Sequence, residues 1–153
     1  MHSGELLGEY EIIGVIGRGG MGEVFKARHR LMDRVVAIKF TQQKYADDRD
    51  GQVRFLREIR ASARLTHTNV ITAFDAGKSP DGRPFLVTEY LNSTDLASVL
   101  QRRSPLPIED VMRFIVQAAH GICHAHKQGV IHRDIKPSNL LLDETDTVQL
   151  CDF

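Results

Sequence analysis

Short apolar runs dominate the first part of the chain, whereas longer segments with helical periodicity dominate the second part. The short runs are rich in Ile, Val and Phe and lie between glycine-containing or polar turns, a pattern that predicts strands. The predicted strands cover residues 10–16, 24–27, 35–40, 71–76 and 84–88. Apolar positions at helical spacing predict helices over residues 50–65, 94–102 and 107–128. A short, weakly ordered lead is expected over residues 1–9.

The last predicted helix is the longest and carries an apolar stripe along one face. Pro107 lies near its start and Gly129 lies just past its end, as the two termini of a helix prefer. The stripe consists of Ile108, Val111, Met112, Ile115, Ala119, Ile122 and Cys123. His120 and His124 are four residues apart, but no glutamate follows His120 directly, so a zinc-protease type of metal site is not expected.

Composition excludes several classes of function. The 153 residues contain 20 Lys and Arg and 20 Asp and Glu, so the formal net charge is zero and no field of one sign attracts nucleic acid or a membrane surface. No apolar run approaches the roughly 20 residues of a membrane span, and the first residues do not resemble a signal peptide. The two cysteines, Cys123 and Cys151, form no Cys-x-x-Cys pair. We therefore expect a cytoplasmic chain without a membrane segment, although a longer parent chain could still carry an anchor.

Three glycines follow the first predicted strand: Gly17, Gly19 and Gly22 form a Gly-x-Gly-x-x-Gly pattern. Glycine lets the backbone approach a ligand closely, and the N–H groups of such a turn can face phosphate oxygens. A dinucleotide-binding loop would need a helix directly after the glycines, but Val24 opens a strand-like segment. A plain hairpin turn does not explain three glycines at this spacing.

Lys39 lies inside the apolar segment 35–40, where a lysine is costly unless it is paired. It could instead extend from an edge strand to water. Glu58 borders the apolar stripe of the helix predicted over 50–65, and it is the candidate partner of Lys39. Glu58 could instead be a surface residue paired with a neighbouring arginine on the same helix.

A polar loop between two short apolar strands carries Asp134, Lys136 and Asn139. Strands that hold a loop at both ends fix the positions of its polar groups, as a catalytic site requires. A carboxylate can accept a proton from a hydroxyl, a lysine can stabilise phosphoryl charge, and an amide oxygen can hold Mg²⁺.

Eight residues at positions 132–139, His-Arg-Asp-Ile-Lys-Pro-Ser-Asn, match the catalytic-loop pattern of protein kinases without a gap, and the chain resembles that family. The other motifs, in the family's order, are the glycine turn, Val-Ala-Ile-Lys ending at Lys39, the helix with Glu58, and Asp152 with Phe153 as the start of Asp-Phe-Gly. The resemblance covers residues 10–153. The Lys-Pro-Ser sequence favours the serine/threonine class, and the Gly-Gly-Met-Gly turn is similar to that of bacterial kinases of the eukaryotic type.

The resemblance implies a protein-kinase-like fold of the α+β class. Residues 10–88 would form an N-lobe with an antiparallel β-sheet and one main helix. Residues 89–92 would form a hinge, and residues 93–153 the first, mainly helical part of a truncated C-lobe. Ser62 departs from the family, which usually has a bulky apolar residue there, so weaker packing of the helix over 50–65 is expected.

The resemblance also implies a reaction, the transfer of the γ-phosphoryl group of ATP to Ser or Thr hydroxyls of a protein substrate. Asp134 would accept or orient the hydroxyl proton, and Lys136 would stabilise the transferring group. Lys39, oriented by Glu58, would fix the α- and β-phosphates. Mg²⁺ or Mn²⁺ would be the cofactor, with Asn139 and Asp152 as its ligands.

The nucleotide itself would contact both the glycine turn and the hinge. Thr88 would guard the back of the pocket, the backbones of Glu89 and Leu91 would bond adenine, and Asp95 would reach the ribose unless it only caps a helix. The residues implied in ATP binding are Ile16, Gly17, Arg18, Gly19, Gly20, Met21, Gly22, Glu23, Val24, Ala37, Lys39, Thr88, Glu89, Leu91 and Asp95.

The chain stops at Phe153, before the glycine of the last motif. We therefore expect either a fragment of a longer kinase or a natural truncation, with the apolar stripe of the long helix facing solvent. The isolated 153-residue chain is predicted to be inactive. The alternative class of function is a non-catalytic ATP-binding or interaction module.

Overall fold

An antiparallel sheet organises the first half of the chain in the computed structural model, which describes residues 2–19, 22–41 and 49–153. Within these residues the sheet has six strands in the order β1-β2-β3-β4-β6-β5. The strands are β1 Leu6–Leu7, β2 Tyr10–Gly19, β3 Gly22–His29, β4 Arg34–Thr41, β5 Ala73–Lys78 and β6 Pro84–Glu89. Helix α1, Arg49–Ser62, contacts β4 and β6. The predicted antiparallel sheet with one main helix is therefore present.

Strand β4 has one face in the apolar core of the sheet and the other towards α1. Val36, Ile38 and Phe40 are at most 2% exposed and belong to the cluster that also contains Phe25. Because side chains alternate across a strand, Lys39 projects to the opposite face, where α1 supplies Glu58. The predicted apolar strand with a lysine inside it therefore has one face in the core and one face that carries the lysine.

Residues 2–9 are more regular than the weakly ordered lead expected over residues 1–9. Leu6 and Leu7 form β1, which pairs with β2, and Leu7 is only 3% exposed within the sheet core. The Gly4 amide also donates to the Ile12 carbonyl at 2.8 Å. A two-residue strand is too short to produce a visible alternation, which is why its burial was not predicted.

The chain divides into two units, residues 1–63 with 73–90, and residues 64–72 with 91–153. The last boundary, between residues 90 and 91, falls within the range 89–92, where the hinge stays a prediction. The segment 64–72 belongs to the second unit, and its backbone bonds to a strand of that unit: the Leu150 amide donates to the Asn69 carbonyl at 3.0 Å. The N-lobe over residues 10–88 stays a prediction.

The second unit combines two helices with a small sheet. Its elements are β7 Ser93–Asp95, α2 Leu96–Arg103, α3 Ile108–Lys127, β8 Leu140–Asp143 and β9 Val148–Leu150, with a 3₁₀ turn over Pro137–Asn139. The three strands pair in the order β7-β8-β9. Leu96 and Val99 of α2 pack with Phe114 and Ala118 of α3 and with Val148 of β9.

Helix α3 packs through a face that the sequence analysis did not single out. Its buried residues are Phe114, Ala118, Gly121 and Ala125. Gly121 permits this contact, because a Cβ there would lie 2.5 Å from the Asn69 carbonyl oxygen and 2.5 Å from Leu150 Cδ1. The predicted stripe is largely exposed, as expected, with Ile108 at 66%, Met112 at 55% and Ile115 at 57%. No helix in the described part of the chain has the length and apolar character needed to cross a bilayer.

Candidate active site

The glycine turn of the first unit joins two paired strands. Gly17 lies opposite Val24, Arg18 opposite Glu23, and Gly19 opposite Gly22. Arg18 Nε and Glu23 Oε1 form an exposed ion pair at 2.9 Å. Because a strand follows the glycines, the dinucleotide-binding alternative is excluded. Two of the predicted nucleotide contacts, Gly20 and Met21, lie outside the described residues.

Lys39 and Glu58 form the ion pair that the sequence predicted. Lys39 Nζ lies 2.6 Å from Glu58 Oε1, and only 13% and 18% of the two side chains are exposed. The structure therefore excludes both alternatives, a lysine that extends to water and a glutamate that remains on the helix surface. In the sheet, Lys39 lies opposite Val24 on β3 and Leu86 on β6, so its strand position is fixed from both sides.

Strand β6 carries Thr88 and Glu89, two of the residues predicted to border the adenine. Thr88 lies opposite Ala37 on β4, and both are half-buried. The Thr88 hydroxyl donates to the Glu89 carbonyl at 3.2 Å. Lys26 Nζ lies 4.2 Å from the ring centroid of Tyr90, a cation–π contact that ties the end of this segment to β3. Ile16, which precedes the glycines, is 49% exposed.

Asp95 acts as the N-cap of α2. Its Oδ1 accepts from the Ser98 amide at 2.9 Å, and its Oδ2 accepts from the Ser98 hydroxyl at 2.7 Å. These bonds contribute to a lowered pKa of the Asp95 carboxyl, against the opposing effect of burial, which is the largest single contribution. The capping alternative is thus present in the structure, and the ribose contact stays a prediction.

Asp134 of the second unit lies at the centre of a local network of charge and hydrogen bonds. Its Oδ2 lies 2.6 Å from Lys136 Nζ, and Asn139 Nδ2 donates to the Asp134 carbonyl at 2.9 Å and to Oδ2 at 3.3 Å. The hydrogen bond from Lys136 lowers the pKa of Asp134, so the carboxylate is ionised at neutral pH. The three loop residues that the sequence singled out are therefore in mutual contact.

His132 and Asn139 tie this loop to the residue before Asp152. His132 is 6% exposed, and its Nε2 lies 2.8 Å from the Cys151 carbonyl oxygen. The Cys151 amide donates to the Asn139 carbonyl at 3.1 Å. Arg133, between His132 and Asp134, adopts a left-handed φ of 67°, a conformation that costs energy for a residue with a side chain. The loop thus holds both backbone groups of Cys151.

Asn139 and Asp152 fit the ligand chemistry of a divalent cation. Asn139 donates through Nδ2 to Asp134, which leaves Oδ1 without a hydrogen-bond partner in the part of the chain that the structure describes. Amide and carboxylate oxygens are ligands that Mg²⁺ accepts. Asp152 follows the anchored Cys151 with a left-handed φ of 63°, so its backbone is held in an unusual conformation.

Two polar residues that anchor β9 were missed by the sequence analysis. Asn69 Nδ2 donates to the Val148 carbonyl at 2.8 Å and to Gln117 Oε1 at 3.1 Å. Gln117 Oε1 also accepts from the Val148 amide at 2.9 Å. Each residue stands beside apolar neighbours in the sequence, and a polar residue in such surroundings is a signal that could have indicated a buried hydrogen bond.

Comparison with known proteins places these features in a family. The chain matches the family described as "Protein kinase domain" over residues 10–153. Serine/threonine-protein kinase pkn3 of Myxococcus xanthus is 39% identical over 149 residues, which cover 95% of this chain and 27% of that protein. Serine/threonine-protein kinase PrkC of Bacillus subtilis is 36% identical over 146 residues, which cover 95% of this chain and 22% of that protein.

A solved structure supports the same family assignment as the sequence relatives. The crystal structure of the PknI kinase domain of Mycobacterium tuberculosis is 30% identical to this chain and matches it with a TM-score of 0.87. The match covers 100% of this chain and 62% of that one. The chain spans about a quarter of the length of the two bacterial relatives, at 27% and 22%.

Proposed function

The chain belongs to the protein kinase family, and from that premise we propose that the protein transfers the γ-phosphoryl group of ATP to serine or threonine hydroxyls of proteins. The observation that carries the proposal is the loop in which Asp134, Lys136 and Asn139 are in mutual contact. Phosphoryl transfer requires a carboxylate for the substrate hydroxyl, a cation for the transferring group and an oxygen ligand for the metal ion, and this loop carries all three kinds of group.

Asp134 would receive the substrate hydroxyl. Its depressed pKa keeps it ionised, so both oxygens can accept hydrogen bonds, but it is a weak base in the ground state. Its main contribution would be to orient the hydroxyl and to accept the proton as the new bond forms. Lys136, held 2.6 Å from that carboxylate, would place positive charge beside the transferring group.

Lys39 would hold the phosphates of the nucleotide. A lysine on a flexible stem loses rotamer entropy when it binds, and the 2.6 Å contact with Glu58 fixes it beforehand. Asn139 and Asp152 would hold a divalent cation, which when bound neutralises charge on the phosphate oxygens. The residues of Gly17 to Val24 would cover the phosphates through backbone N–H groups.

The preference for serine and threonine rests on two observations. The catalytic loop carries Lys-Pro-Ser at 136–138, and the sequence relatives compared above are named serine/threonine-protein kinases. The chain covers only a minor part of the length of these relatives. They therefore do not indicate which residues of this protein would recognise its substrate.

The test is phosphoryl transfer by the longest native form of the protein that contains residues 1–153. The protein is incubated with γ-labelled ATP, Mg²⁺ and a basic protein substrate, followed by phosphoamino acid analysis. We expect label on serine or threonine, with a loss of at least about 100-fold in Asp134→Asn, because a displaced or missing catalytic group costs on that order. Lys39→Met should lose activity while remaining folded.

Two results would count against the proposal. Label that enters independently of Asp134 would show that another group performs the chemistry. Saturable ATP binding without any transfer would favour the alternative, a non-catalytic ATP-binding module.

A further inference from the structure

Strand β9 leads directly to Asp152, and its outer edge is not paired with another strand of the described chain. On the inner edge β9 pairs with β8, with Gln149 opposite Leu141. On the outer edge the backbone groups of Val148 and Leu150 are bonded to groups from α3 and from the segment 64–72. The position of Asp152 therefore depends on what holds this edge.

Leu150 is held by backbone groups alone. Its amide donates to the Asn69 carbonyl at 3.0 Å, and its carbonyl accepts from the Ile71 amide at 2.9 Å. Asn69 is itself 7% exposed, and its amide donates to His67 Nδ1 at 3.0 Å. Asn69 is thus a fixed point to which the strand attaches.

Val148 is held by side-chain amides in place of a neighbouring strand. Gln117 Oε1 accepts from the Val148 amide at 2.9 Å, and Asn69 Nδ2 donates to the Val148 carbonyl at 2.8 Å. The two amides also bond to each other at 3.1 Å, which closes a ring of hydrogen bonds around this residue. Gln117 Nε2 donates to the Asp146 carbonyl at 2.9 Å, so the same side chain also holds the turn before β9.

Neither Gln117 nor Asn69 has a role in the chemistry proposed above, yet both act on the strand that presents a metal ligand. Asp152 lies four positions after Val148, and the intervening Leu150 and Cys151 are anchored at both their amide and carbonyl groups. Displacement of Val148 is therefore transmitted along a strand with little freedom to absorb it. We infer that Gln117 is a positioning residue for the metal ligand Asp152, acting through Asn69 and the backbone of β9. The inference rests on the proposed function, since it takes Asp152 to be a ligand of the divalent cation.

Gln117→Met is the informative substitution, because it keeps the length of the side chain and removes all three of its hydrogen bonds. The measurement is calorimetric titration of the 153-residue chain with ADP, once with Mg²⁺ and once with EDTA. The dissociation constant of ADP in EDTA divided by that in Mg²⁺ gives a ratio that reports how much the metal strengthens binding. We expect this ratio to fall about tenfold, since loss of groups that orient a metal ligand typically costs 10- to 100-fold in metal affinity.

Two further variants distinguish positioning from a purely structural role. Arg113→Met is the matched control, because Arg113 lies one turn earlier on α3 and contacts the same turn through Asp146 Oδ2 at 3.0 Å without touching β9. It should leave the ratio unchanged. Gln117→Asn keeps the amide but is one methylene shorter, so it should lower the ratio even if Gln117→Met does not fold.

The outcomes separate this inference from the proposed function. If Gln117 variants have a lower melting temperature but the wild-type ratio, the residue is only structural and the inference is overturned. If Asp152→Asn abolishes the effect of Mg²⁺ while folded Gln117 variants retain it, the inference fails and the metal assignment stands. If Asp152→Asn leaves the effect of Mg²⁺ intact, the metal assignment fails and the inference fails with it.

Discussion

Replacing both members of the Lys39–Glu58 pair with apolar residues should separate folding stability from nucleotide binding. The two charges are 2.6 Å apart, and 13% and 18% of the side chains are exposed, so water screens them weakly. If the pair exists to orient Lys39, a well-packed apolar pair should stabilise the fold as well as the charges do but should not bind phosphate. The double variant is Lys39→Met with Glu58→Leu.

The magnitude follows from the burial of the pair. Exposed ion pairs contribute about 0–1 kcal/mol, whereas removing one member of a fully buried pair costs about 3–5 kcal/mol. The slight exposure of these side chains places the cost of Glu58→Leu between these two ranges, at about 2–3 kcal/mol, because the variant removes the carboxylate beside the lysine charge. In the double variant no charge is left, and we expect a free energy of unfolding within about 1 kcal/mol of wild type.

Thermal unfolding and calorimetric titration with ADP form the assay. For a chain of about 150 residues, a loss of about 2 kcal/mol lowers Tm by roughly 4–8 °C. Both single variants and the double variant should bind ADP at least about tenfold more weakly, since a charge-assisted hydrogen bond contributes about 1.5–3 kcal/mol. The control is Asp33→Asn, which breaks the exposed Arg28–Asp33 pair, with side chains 51% and 77% exposed, and should change stability by less than about 1 kcal/mol.

Two results would refute this reasoning. If the costs of the single variants add in the double variant, the two charges do not interact in the folded protein. If the double variant binds ADP as wild type does, Lys39 has no role in holding the nucleotide.

Three further expectations concern the stability and reactivity of single side chains. Burial and the hydrogen bond to the Asp75 carboxylate raise the pKa of Tyr10 from 10.0 to about 12. The stability that the protonated Tyr10 contributes is therefore present below pH 10 and is lost as pH rises towards 12. Alkaline unfolding curves of Tyr10→Phe should show a smaller loss in that window, and an unchanged curve would contradict the assignment. Asp95→Ala removes the cap bonded to Ser98 and should cost about 1 kcal/mol in urea unfolding, and the ribose assignment requires weaker ADP binding as well. In a Cys123→Ser background, saturating ATP with Mg²⁺ should slow alkylation of the half-buried Cys151, and a rate that does not respond would count against its placement beside the nucleotide.

Much of the site was predictable from sequence because its residues lie in contiguous motifs. Asp134, Lys136 and Asn139 are within six positions, and the structure brings them into contact. The Lys39–Glu58 contact spans 19 residues, but the apolar strand around the lysine and the amphipathic helix around the glutamate each restrict the position of one partner. The family and the kinase-like fold are confirmed by the match over residues 10–153 and by the PknI structure.

The contacts that were missed connect distant parts of the chain. Helix α3 has apolar residues on two faces, and periodicity alone does not reveal which one meets α2 and β9. Phe114, Ala118 and Gly121 form the buried face, whereas the more regular stripe is exposed. Asn69 and Val148 are 79 residues apart, and no local pattern specifies that a side-chain amide takes the place of a strand there.

The central proposal is that Lys39 holds the phosphates of a nucleotide and that Asp152 holds a divalent cation. The most direct measurement is the affinity of the chain for ADP with and without Mg²⁺, for wild type, Lys39→Met and Asp152→Asn. The account predicts that Mg²⁺ strengthens ADP binding to wild type, that Lys39→Met weakens binding by roughly 10- to 100-fold, and that Asp152→Asn removes the response to Mg²⁺. ADP affinities that are equal in all three proteins, with and without Mg²⁺, would contradict it.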